Sequence, residues 1–170
     1  MEARSGYDRE MLAVYLNDHL AGSAAGLRLA ERCRDRDPDG DLGTYLTELV
    51  DEIEDDRGVL ERVMVRIGAT PNPVKQAAAA GAVLLTGVKN RLPIFGSGSA
   101  EVSRLEEMEL LSLGIEGKRL LWRALGALAE TDRRLKEFGF ATLESRAQAQ
   151  RDRLEPFRLE LASAALGGSE

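Results

Sequence analysis

Apolar residues recur along most of this chain at three- and four-residue intervals, the spacing that places them on one face of an α-helix. Leu12, Leu16, Leu20, Leu27 and Ala30, with Ser23 among them, predict a first helix over 8–34. Leu42, Leu46, Leu49, Ile53, Leu60, Met64 and Ile67 predict a second over 42–67, stopped by Gly68 and Pro71. Met108, Leu111, Ile115, Trp122 and Leu125 predict a third long helix that begins at Ser99 or Ser103 and ends at Ala129. Ser103 followed by Glu106 fits a capping box there. Leu143, Ala147, Leu154, Phe157, Leu161 and Ala165 predict a fourth over 143–166, kinked at Pro156. Between the second and third, residues 69–100 carry a shorter helix of small residues through Val74, Ala77, Gly81, Leu85 and Val88. An irregular stretch with Leu92, Ile94 and Phe95 follows it. No segment alternates with period two for long enough to predict a strand.

Polar residues interrupt these stripes at informative places. His19 lies at the edge of the first stripe, Asp56 in the middle of the second, Lys118 in the third and Gln150 in the fourth. Glu52 borders the second stripe one turn before Asp56. A charge buried without a partner costs several kcal/mol, roughly, so these residues predict either one buried polar network or a ligand site. His19 across the first hairpin and Lys118 from the third long helix are the cations within reach of Asp56. Glu107 shares the arc of Lys118 about three turns away and is expected in another cluster, near Arg158. Gly114 and Gly117 thin the same helix and are expected to let a neighbour approach.

The polar turn Asp35-Arg-Asp-Pro-Asp-Gly-Asp41 joins the first two helices and forces an antiparallel hairpin. Its acids at positions one, three and five, with glycine at six, mimic the start of a calcium loop. Position twelve is Leu46, where a bidentate glutamate is required, so a helix–helix turn is the better reading. A second hairpin centres near Arg134 and brings Lys118 opposite Gln150. A connecting helix of about 18 residues climbs about 27 Å, which returns the chain to its starting end. The third long helix then runs parallel to the second. The expected architecture over 1–170 is one all-α domain: a four-helix bundle of two antiparallel hairpins with a long, partly helical crossover.

Composition supports this and removes several functions. Of 170 residues, 44% are hydrophobic, 31% charged and only 5% aromatic, which suits a helical domain with its own core. The net charge of −6, with arginines interleaved among carboxylates, argues against a nucleic-acid partner. Gln76 to Val88, the longest uncharged run, is too short to span a bilayer. Residues 1–10 lack the apolar run of a signal peptide. The single cysteine, Cys33, sits off the core line between Arg32 and Arg34 and reads as an incidental thiol in a reducing cytoplasm.

Three segments carry a resemblance: Tyr15-Leu-Asn-Asp-His-Leu-Ala-Gly22, Glu52-Ile-Glu-Asp-Asp-Arg57, and Leu113-Gly-Ile-Glu-Gly-Lys118 with Trp122. Together they look like an uncharacterised bacterial branch of the ferritin-like superfamily. The resemblance implies the ferritin-like bundle. It does not carry the di-iron role, because that centre needs a Glu-x-x-His on two helices and this chain has a single histidine. No metal and no cofactor is therefore expected. The expected role is non-catalytic, through self-association as a dimer or through a protein partner at Leu92 to Phe95 and the alanine-rich helix. The alternative is an enzyme or small-ligand binder built on His19 and Asp56. A degenerate metal-dependent oxidase is a further alternative.

Overall fold

A computed structural model describes residues 8–88 and 99–167, with side chains undescribed at 83–88. Five α-helices follow in order: α1 (Arg9–Arg36), α2 (Asp41–Ile67), α3 (Pro73–Val88), α4 (Ala100–Ala129) and α5 (Phe140–Leu166). A 3-10 turn, Arg133–Leu135, joins the last two. Among the described residues there is no strand, and no helix is long and apolar enough to cross a membrane.

Several helix ends have a local cause. The Asp8 carboxylate accepts the backbone N–H groups of Glu10 and Met11 at 2.9 and 3.1 Å and starts α1. Gly68 ends α2 with a φ of 79°, a left-handed conformation that glycine enters without strain. Asn72 caps α3 by accepting the Lys75 N–H at 3.0 Å, with Pro73 as the first helical residue. Ser99, not Ser103, caps α4, accepting the Val102 N–H at 3.4 Å. Ser103 lies within α4, so the predicted capping box is not used as a cap. The helix α5 continues through Pro156.

Side-chain bonds give the helix directions. Arg57 on α2 donates to the Ser23 hydroxyl on α1 at 2.9 Å, as an antiparallel hairpin requires. The end of α1 meets the start of α4, where Arg32 and Arg36 pair with Glu107 at 3.0 and 2.7 Å. An antiparallel ladder ties α4 to α5 through Glu109–Arg158, Glu116–Arg151 and Arg123–Glu144. Another ties α2 to α5 through Glu48–Arg153 and Asp56–Arg146. With α1 antiparallel to both α2 and α4, those two helices point the same way.

The start of the crossover is fastened to the first hairpin. Asn17 accepts from the Asn72 N–H at 2.7 Å and donates to the Thr70 carbonyl at 3.1 Å. Lys75 pairs with Asp18, and Gln76 accepts from Arg57 at 3.0 Å. Leu92, Ile94 and Phe95, on which the expected self-association depended, lie outside the described residues.

Two expectations fail at the α1–α4 contact. Glu107 holds the arginines of α1, whereas Arg158 pairs with Glu109 and Glu155. Cys33 is in the core, only 5% exposed, with its thiol donating to Glu107 at 3.6 Å. Burial and the Glu107 charge push that thiol up to about 12, outweighing Arg36 and Arg32. A reactive thiolate is thereby disfavoured.

Candidate functional site

Asp56 is the hinge of the interior polar cluster. Its place among Leu49, Ile53 and Leu60 on α2 leaves it 3% exposed. Lys118 of α4 donates to its Oδ2 at 2.6 Å, and Arg146 of α5 donates to its Oδ1. Lys118 also donates to the Gln150 Oε1 at 2.5 Å. Thus three helices meet on one carboxylate, and three sequence-predicted residues come into direct contact. Desolvation pulls the Lys118 ammonium below its ordinary range, opposed chiefly by the Asp56 charge.

Glu52 sits one turn before Asp56 and accepts from Arg153 at 3.3 Å. Its Oε2, the Gln150 Nε2 and the Arg146 Nε are buried without hydrogen-bond partners among the described residues. On the same side the Tyr45 hydroxyl donates to the Gln150 carbonyl at 2.9 Å, with the Arg153 guanidinium 5.1 Å from the Tyr45 ring centre. Burial raises the Tyr45 phenol well above its usual range. Arg146 was not among the sequence-predicted residues. Its signal is its spacing, one turn before Gln150 on α5.

His19 does not join this cluster. It is half-buried on α1, edge-on to Tyr15 with ring centres 4.6 Å apart. Among the described residues nothing hydrogen-bonds its imidazole. Burial lowers its proton affinity and the neighbouring Asp18 opposes that. The expected His19–Asp56 pair is absent because Arg57, the next residue of α2, turns to the Leu20 carbonyl and the Ser23 hydroxyl of α1. Asp56 is left to α4 and α5.

What His19, Asp56 and Lys118 share is a cavity of about 380 Å³ between α1, α2 and α4. That volume falls within the range of small-molecule sites, about 300–1,000 Å³. Its walls are mainly apolar, with Ile53 and Leu60 from α2 and Leu111, Ile115, Leu121 and Trp122 from α4. Four glycines line it as well: Gly22 and Gly26 on α1, Gly114 and Gly117 on α4. Apart from its chain neighbours and the backbone of its own helix, no described atom lies within 4 Å of the point where a Cβ would stand on any of the four. The expectation that Gly114 and Gly117 admit a close neighbour is therefore overturned: the missing side chains leave room.

The Asp35–Asp41 turn packs against a different glycine, Gly43 in the first turn of α2. A Cβ on Gly43 would stand 2.1 Å from the Asp37 carbonyl oxygen and 2.9 Å from Pro38 backbone atoms. The turn closes through that contact, and Leu46, at the twelfth position of the calcium-like pattern, is fully buried in the core. Among the described residues no three histidine, cysteine or acidic side chains come together as a set of metal ligands.

Comparison of the chain with protein families, with curated proteins and with solved structures finds no match to any of them.

Proposed function

We propose that this chain binds a small, largely apolar molecule in the cavity between α1, α2 and α4, on a helical scaffold of the ferritin-like kind. The cavity carries the reading. A glycine inside a helix costs about 1 kcal/mol relative to alanine through backbone entropy, and a close neighbour is the usual steric reason for a glycine to stand there. Here four interior glycines face room instead, and that room is walled by apolar side chains and ends on a buried ion pair. This is the layout of a small-molecule site: apolar walls with a few polar groups that orient the ligand.

The antiparallel pairs α1/α2 and α4/α5, the shared direction of α2 and α4, and the helix α3 between them support the ferritin-like assignment. A binding role in the cytoplasm fits better than acid–base catalysis, because Asp56 is engaged on both oxygens and does not reach His19.

Trp122 is the only tryptophan and lines the cavity, so its emission reports occupancy. Titration with 1-decanol should change that emission saturably, with one ligand per chain. A response that never saturates, or none, would remove the proposal.

A further inference from the structure

We propose that the molecule held in this cavity is an apolar chain ending in a carboxylate, whose two oxygens are taken by Lys118 and Trp122. The inference rests on the cavity being a ligand site and adds the chemistry of the head group. A lysine ammonium has three N–H donors. Lys118 gives one to Asp56 and one to Gln150, which leaves a third in a side chain only 13% exposed. Trp122, 1% exposed, carries an indole N–H that no group among the described residues accepts. The two residues are four positions apart on α4, hence neighbours on one face of the helix, and both line the cavity. Two donors one turn apart, both short of an acceptor, match the two oxygens of a carboxylate.

The charges point the same way. Each oxygen of Asp56 is already held by a cation, so a positively charged head would meet a satisfied carboxylate beside Lys118 and Arg146. Asp18, the other acid at the cavity, is spoken for by Lys75. A negative head instead meets the unmet N–H of a buried ammonium, and charge-assisted hydrogen bonds of this type are the strong ones. The volume gives the scale of a suitable probe. At roughly 30 Å³ per water-sized group, the cavity holds on the order of a dozen non-hydrogen atoms, the size of decanoate.

Calorimetry of the full chain at pH 7 with decanoate, 1-decanol and decylammonium tests this. Decanoate should bind about tenfold more tightly than decanol, and decylammonium most weakly. Equal affinity for all three would overturn the head-group inference and leave the cavity reading standing. Tightest binding of decylammonium would overturn it in favour of an acidic anchor. Failure of all three would remove both readings. Because Lys118→Met would strand Asp56 and risk unfolding, Trp122→Phe is the variant of choice. It keeps the ring and removes the N–H. It should weaken decanoate several-fold more than it weakens decanol, whereas an equal change in both would take Trp122 out of the head-group site.

Discussion

Asp56 binds a lysine and an arginine from two other helices while sitting among leucines, so its removal leaves two cations facing an apolar wall. Asp56→Ala should cost roughly 3–5 kcal/mol of folding stability, the range for breaking a buried pair from one side. Asp56→Leu should cost less, since it restores the apolar stripe. Urea melts of both variants beside the parent decide this, and melts that overlay the parent would contradict it. The second residue-scale prediction concerns His19. Burial holds its imidazole below the ordinary value of about 6.5, so the unfolded chain takes up the proton first on acidification. Its contribution is therefore neutral above that value, and stability is lost as pH falls through it toward the folded-state value. The urea midpoint should drop more between pH 7.5 and 5.5 in the parent than in His19→Gln. Equal drops would show that the histidine is solvated.

At the scale of the helix, glycines divide by what surrounds them. Gly43 is pressed against the backbone of Asp37 and Pro38, so Gly43→Ala should destabilise by about 1–3 kcal/mol, the usual cost of overpacking. Gly114 meets nothing, so Gly114→Ala should stabilise by about 0.5–1 kcal/mol through helix propensity. Chemical denaturation of the pair gives opposite signs if the two glycines serve opposite ends. The sequence marked both as glycines but could not separate them, because the distinction lies in the distance to another segment. The helices themselves were legible to within a few residues, since their apolar spacing is local. Asp56, Lys118 and Gln150 were legible for a related reason: a polar residue in mid-stripe is forced inward and must meet another. His19, at the stripe's edge, had a choice of surroundings, and Arg57 decided it by turning to α1. Glu107 likewise went to the arginines at the end of α1, a partner that helix-by-helix reading does not rank.

For the whole molecule, the polar cluster and the cavity form one arrangement. Asp56 draws α4 and α5 onto α2, while the glycines of α1 and α4 hold the other side of Lys118 open. A structural ion-pair network by itself gives no reason for that opening. The opening supplies a place where a ligand trades water for apolar walls. The most direct test compares decanol binding to the parent chain and to Gly114→Leu, a larger side chain at a cavity-lining position where an added Cβ meets no neighbouring segment. The parent should bind one decanol per chain, read by Trp122 emission. Gly114→Leu should not bind, though its urea midpoint matches or exceeds that of the parent. Equal binding by the two proteins would place the ligand elsewhere and contradict the account.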